Sequence, residues 1–395
     1  MDAQAAQSLL SAAAVRDRAH ELLGVGLEGR LAEWQVNLAR LEPTADLVAA
    51  VVRSNYPDLR IPFHARWRHF RVGGRDLWAE RAARTPWPDA AERARAEFDL
   101  AVVSVLLDAG AGSAWRFHDR ATGAELTRSE GLAIASLRRF EQGGFSAEPT
   151  QPLRADGLHN LTSESLAVAL QVGPDNPLVG VEARAELLRR LGQTVGRPGL
   201  LFDEMAGRAQ DGALPAATIL DVLLTRLGAI WPSRIEISGV RLGDCWRHAA
   251  IRRPDASDGL APLHKLSQWL AYSLIEPLET AGLRVLDIND LTGLAEYRNG
   301  GLFVDMEVLR LSAPHEAGAL HAVDSPLVVG WRAMTVALLD RLAPLVRERL
   351  GLTVEEFPLA RLLEGGSWAA GRRIARERRP DGAPPLRVSS DGTVF

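Results

Sequence analysis

The sequence predicts a mainly α, multi-helical protein decorated with small β ribbons. Apolar residues recur at three-and-four spacing through seven long segments, the signature of helices that bury one face. Runs that alternate apolar and polar residues are short and few. Residues 98–107 (FDLAVVSVLL) are apolar on nearly every side, which predicts a helix enclosed by the rest of the fold.

In chain order, the helical pattern covers 3–55, 89–108, 129–142, 181–193, 215–229, 262–279 and 326–350. Ribbons are expected at 115–118 with Leu126, turning around Ala121, Thr122 and Gly123, and at 234–240. The Pro- and Gly-containing stretch 145–157 (FSAEPTQPLRADG) reads as a linker, dividing the chain into an N-terminal helical region, 1–150, and a C-terminal helical region, 151–395, that carries most of the candidate site, the alternative being one continuous domain. A second irregular stretch, 252–262, introduces the helix at 262–279, and the tail from Arg372 starts as a basic helix and ends loose.

A chain of 395 residues with 47% hydrophobic and 24% charged residues can bury a large core. Its net charge of -4 supplies no positive field for a phosphate polymer, so nucleic acid is not an expected partner. The single cysteine, Cys245, cannot form an internal disulfide or a thiolate metal cluster. The first residues read as an amphipathic helix interrupted by Arg16, Asp17 and Arg18, not as a secretion signal, and no apolar run reaches membrane-spanning length. A cytoplasmic protein with no membrane partner is the expectation. No Walker or dinucleotide loop and no HExxH or Cys-x-x-Cys motif is present, so neither a metal nor a cofactor is expected. A single sequence leaves the oligomeric state open.

Of 46 basic side chains, all are arginine except Lys265. Lysine is a compact ammonium and arginine a wide planar fork, so a tight pocket can accept one and reject the other. Lys265 therefore marks its helix as the first place to look for a site.

Three nearby segments concentrate polar and aromatic side chains. In 235–248 (IEISGVRLGDCWRH), Asp244 either caps a following helix or aims a carboxylate above the turn, and Cys245 with His248 offers a weaker nucleophile and base pairing. In 262–279 (PLHKLSQWLAYSLIEPLE), Leu263, Leu266, Leu270 and Leu274 form one face, while Lys265, Gln268, Trp269, Tyr272 and Glu276 gather on another, which predicts one packing and one recognition stripe. In 284–308, Asp287, Asn289, Asp290, Thr292, Glu296, Tyr297, Arg298 and Asn299 surround Gly300-Gly301, a glycine pair that would let backbone approach a ligand. Arg298 is a fork suited to phosphate or carboxylate, or else the partner of Glu296 in an ion pair at a turn.

These strings resemble the uracil-catabolism protein family of fungi and bacteria. The matching stretches run nearly end to end: RWRHF with GG soon after (66–74), LDAGAGSAWRF (107–117), RSEGLAIASLRRFEQGGFS (128–146), NPLVGVEAR (176–184), and the three segments above. The resemblance implies a role in degrading uracil through a ribosylated, ring-opened intermediate, ending in urea and a three-carbon acid. Lys265, Gln268 and the later DINDLTGLAEYR also resemble, more distantly, the queuosine salvage N-glycosidases, helical enzymes with a DNA-glycosylase-like architecture. This chain departs from them in having Glu296 in place of Asp, no proline after Arg298, and Ser273 where an acidic residue stands.

Ribosylurea carries an N-glycosidic bond, so both resemblances imply hydrolysis of a small nucleoside or nucleotide. An oxocarbenium-like transition state needs a carboxylate near the anomeric carbon, an activated water and help for the leaving nitrogen. Asp244, Asp287 and Glu296 are the candidate catalytic carboxylates. The candidate substrate-binding set is Lys265 and Arg298 for phosphate or ribose hydroxyls, Gln268 for the urea or uracil amide, Trp269 or Tyr297 for stacking, and His264 and Asn299 beside them. Arg68, Ser129 and Glu130 would complete the pocket. The alternatives are a phosphoribosyltransferase acting on uracil, from the likeness of VLDINDLTG to a phosphoribosyl-pyrophosphate loop, and a non-catalytic pathway scaffold.

Overall fold

The computed structural model describes residues 1–108, 110–112, 114–148, 150–231 and 234–389. It is mainly α, and every sheet among the described residues is a ribbon of two strands. Contacts group the chain into two units, one of Met1–His64, Ser233–Gln268 and Asp287–Ser390, the other chiefly of Ala65–Pro232 and Trp269–Leu286. The stretch 145–157 lies inside the second unit. Among the described residues, no helix is long and apolar enough to cross a membrane.

The first unit is organised around helix Pro326–Leu350. Ser325 caps its start by accepting from Val328 N at 3.3 Å, Pro326 occupies the first helical position, and Gly351 ends it in the left-handed region at φ 70°. Residues 327–339 are buried without a break, and they pack against helices Ala12–Leu27 and Leu41–Asn55. The pattern read as one stretch over 3–55 is interrupted here: Ser11 caps Ala12–Leu27, and Trp34–Val36 leaves the helical path to pair antiparallel with Leu309–Leu311. Period alone bridges such a break because both flanking helices bury one face.

Helix Tyr297–Asp305 lies on helix Trp368–Arg378 at very short range. A Cβ at Gly371 would collide with the Arg298 carbonyl oxygen, a backbone atom that cannot rotate away. Gly371→Ala should therefore destabilise the protein by about 1–3 kcal/mol or more, read as a lowered urea midpoint at unchanged m-value. In the tail expected to end loose, Arg387–Ser389 is a strand that pairs parallel with Leu320–Ala322, and residues 390–395 lie outside the described residues.

In the second unit, Asp89 caps helix Ala90–Leu106 by accepting from Glu92 N at 2.7 Å. Residues 96–106 are all buried, as the all-round apolar run predicts. Helix Arg128–Glu141 packs beside it. The hairpin Phe117–Asp119 with Ala124–Leu126 matches its expected turn, whereas 234–240, in the first unit, is a hairpin in itself, Glu236–Ile237 with Val240–Arg241, turning on Ser238 and Gly239 at φ 48° and 80°. Arg284–Leu286 does run parallel to Ala213–Pro215, but the ribbon has only these two strands, and DINDLTG continues as the short turn Ile288–Asp290. That removes the sheet a phosphoribosyl-pyrophosphate loop requires.

Candidate active site

Asp244 does not cap a helix that follows it, because strand Cys245–Arg247 comes next. It caps the lysine helix, Lys265–Thr280, from 21 residues upstream: Oδ2 accepts from Lys265 N at 3.0 Å, and the Asp244 carbonyl accepts from Leu263 N and His264 N. The strand Leu260–Pro262, paired with Cys245–Arg247, brings the two together. Arg332, 1% exposed on helix Pro326–Leu350, grips both carboxylate oxygens at 2.8 Å, and Trp246 Nε1 donates to Oδ1 at 2.6 Å. Burial alone would raise this carboxyl, but the Arg332 guanidinium and these donors hold it well below the usual carboxylate range. Arg332 Nε also donates to the Ala295 carbonyl at 3.2 Å, so the same side chain fixes the approach to Glu296.

Glu296 is the N-cap of helix Tyr297–Asp305. Its Oε2 accepts from Arg298 N at 2.7 Å and its Oε1 from Asn299 N at 2.5 Å. This backbone cap, not the ion pair read as an alternative, relates Glu296 to Arg298. Burial pushes the Glu296 carboxyl up, against the pull of the two amides and of the Lys265 and His64 charges. A buried carboxyl whose proton affinity is raised, within the field of a lysine and a histidine, is what acid–base chemistry uses.

His64 is held in turn. Its Nδ1 lies 2.7 Å from Glu364 Oε2, and Tyr56 reaches the other Glu364 oxygen at 3.4 Å. Glu364 sits in the π-helical turn Leu363–Ser367, a widened turn often found at functional sites. Gln268, fully buried, accepts from Thr292 N at 3.4 Å through Oε1.

The first unit thus brings together Asp244, His264, Lys265, Gln268, Glu296, Arg298 and Asn299. His264 stands in the left-handed region at φ 44° and its ring nitrogen meets the Leu9 carbonyl at 3.0 Å. Arg298 donates to the Gly382 carbonyl at 2.9 Å and covers the Tyr297 ring at 4.9 Å. Asp287 belongs to the same unit but is exposed, at the left-handed start of a short turn. Gly300 and Gly301 serve packing, not ligand approach: Cβ atoms there would meet Trp331 at 2.7 Å and Pro385 at 3.1 Å. Burial also pushes the Cys245 thiol upward, with the Asp244 charge adding to it, which leaves no reactive thiolate.

The remaining predicted residues belong to the second unit. The two-stripe reading of the lysine helix gives way to burial on all sides from Leu266 to Ile275. Trp269 is covered by Arg66, 5.5 Å above its ring, and meets His69 edge-on. Arg68 pairs with Glu276. Ser129 donates to Asp108 Oδ2 at 2.9 Å, and Asp108 pairs with the fully buried Arg66 at 3.3 Å, which also feels the Glu130 charge. Ser273 accepts from Arg66 N, a structural duty for the position that departs from the glycosidase pattern.

His64, Glu364 and Arg332 were not singled out from the sequence. The string LLEGGSW, with an acid, a glycine pair and a tryptophan, carried a signal for Glu364 comparable to that around Glu296. Among the described residues, no group of three or more His, Cys, Asp or Glu stands where it could hold a metal.

The model of the family described as Protein of unknown function (DUF1688) matches residues 8–395. The chain belongs to that family. Its similarity to curated relatives is also end to end. Protein urg3 of Schizosaccharomyces pombe is 41% identical over 414 residues, covering 100% of both chains. Uracil catabolism protein 4 of Lachancea kluyveri is 34% identical over 414 residues, covering 93% of each.

Proposed function

We propose that this chain acts in uracil catabolism and hydrolyses the N-glycosidic bond of a ribosylurea or a related nucleoside or nucleotide. The name of the Lachancea relative supports the pathway. The observation that carries the reaction is the Glu296 carboxyl, buried as the cap of helix Tyr297–Asp305, raised by burial and feeling the charges of Lys265 and His64. As carboxylate, Glu296 stabilises the oxocarbenium-like carbon and accepts a proton from water as the water oxygen bonds to the anomeric carbon. The carbon–nitrogen bond breaks, and His64, oriented by Glu364, supplies the proton that lets the nitrogen leave neutral. Lys265 binds ribose hydroxyls or a phosphate. Asp244 is a positioning residue, since its oxygens are committed to Arg332, Trp246 and Lys265 N.

Incubation with ribosylurea, with urea followed by mass spectrometry, tests this reading: urea release supports it and intact substrate opposes it. Lys265→Arg should keep the melting temperature and raise KM at least about tenfold, because a planar fork replaces a compact ammonium. Unaltered kinetics in that variant would remove Lys265 from the site.

A further inference from the structure

Among the described residues, three polar side chains of the first unit are fully buried and leave at least one polar atom without a hydrogen-bond partner. Asn299 has neither Oδ1 nor Nδ2 satisfied, Gln268 lacks a partner at Nε2, and Ser367 lacks one at Oγ. Native interiors leave few such groups, and each calls for a cause. Their placement is not scattered. Asn299 donates its backbone N–H to Glu296 and so shares the first turn of the Glu296-capped helix. Gln268 stands one turn along the lysine helix from Lys265, on the same face, and is tied to Thr292 four residues before Glu296. Ser367 ends the π-helical turn that carries Glu364, and that turn packs against the Asn299 helix.

We propose that Asn299 and Gln268 recognise a planar ureido group, N–C(=O)–N, on the substrate. This deepens the hydrolase reading above and rests on Glu296 as the reacting carboxylate. Asn299 presents a donor and an acceptor side by side, the complement of the carbonyl and adjacent N–H along one edge of a urea. The match holds whichever way its amide is turned, because both ends are unpartnered. Gln268 is fixed the other way: Oε1 accepts from Thr292 N, so Nε2 is the free donor and meets the second lone pair of the same carbonyl. Ser367 Oγ accepts the outer hydrogen of the terminal NH2, a hydrogen that an intact pyrimidine ring does not have.

The test compares ribosylurea with its analogue dimethylated on the terminal nitrogen, which keeps the carbonyl and loses both terminal hydrogens. Binding is measured by calorimetry and turnover by urea or dimethylurea release, for the wild type, Asn299→Leu and Asn299→Asp. The wild type is expected to prefer ribosylurea by at least about a hundredfold, since a site built for a substrate N–H rejects ligands lacking it. Asn299→Leu is expected to lose most of that preference while its melting temperature stays level or rises, because an apolar group then replaces an unsatisfied amide. Asn299→Asp keeps the shape and is expected to weaken ribosylurea binding at least about tenfold through loss of the donor. An equal effect of Asn299→Leu on both ligands, a fall in melting temperature without loss of preference, or no binding of either ligand by the wild type would overturn the proposal. Asn299-dependent binding without turnover would keep it and sink the hydrolase reading instead.

Discussion

Glu296→Gln is expected to lower kcat/KM for glycoside cleavage by about 10²–10⁴-fold, the usual contribution of a positioned proton acceptor. Gln keeps the length of the side chain and one cap acceptor, so the loss falls on chemistry more than on folding. The pH profile gives the sign. In the proposed mechanism Glu296 works as a carboxylate, and burial raises its pKa, so wild-type kcat/KM should fall as pH drops through that raised value, along a limb of one proton that Glu296→Gln lacks. Stability should move in the opposite sense. A carboxyl with a raised folded pKa binds more protons folded than unfolded, so wild-type stability declines as pH rises from the unfolded value of about 4.3 through the folded one. Glu296→Gln has no such decline. Chemical denaturation across pH 4–8 reads the difference, and a wild type that gains stability over the Gln variant with rising pH would contradict the assignment.

Asp244→Asn is expected to be the most destabilising of the polar substitutions. It leaves Arg332, 1% exposed, with its charge buried and its bidentate partner neutral, at a cost of about 3–5 kcal/mol. The pKa of Asp244 is depressed in the fold, so its stabilisation is complete above the unfolded value of about 3.9 and is lost as pH falls toward the folded one. The gap between wild type and variant should therefore be full at pH 7 and narrow below about pH 4. Asp244→Asn should also loosen the first turn of the lysine helix, where Oδ2 accepts from Lys265 N, and hydrogen exchange at that amide reads it directly. Exchange as slow as in the wild type would mean that the cap is not what orders Lys265.

The contrast between these two carboxylates shows what the sequence made legible. Glu296 and Asp244 both stand out as acids in dense polar strings, and nothing local separates them. Their separation comes from Arg332, 88 residues beyond Asp244, which neutralises one and donates to the carbonyl before the other. His64 and Glu364, 300 residues apart, meet for the same reason, and no spacing rule reaches that far. The long helices were legible because burying one face leaves a period in the chain: residues 326–350 match Pro326–Leu350 at both ends. The lysine helix was misread as two-faced because its polar side chains are buried too, with Gln268 satisfied at one end by Thr292 N and Ser273 bonded to Arg66 N. Gly300 and Gly301 mark close approach, as glycine pairs do, but the approaching groups are Trp331 and Pro385.

The proposed role of Glu296 is to drive cleavage of an N-glycosidic bond in a ring-opened product of uracil. Its most direct test is single-turnover incubation of the wild type and Glu296→Gln with ribosylurea, its 5'-phosphate and uridine monophosphate, following urea and uracil by mass spectrometry. Urea is expected from ribosylurea or its phosphate with the wild type, and at least about a hundredfold slower release with Glu296→Gln. No glycosidic cleavage of any of the three, or equal release by the two proteins, would contradict it.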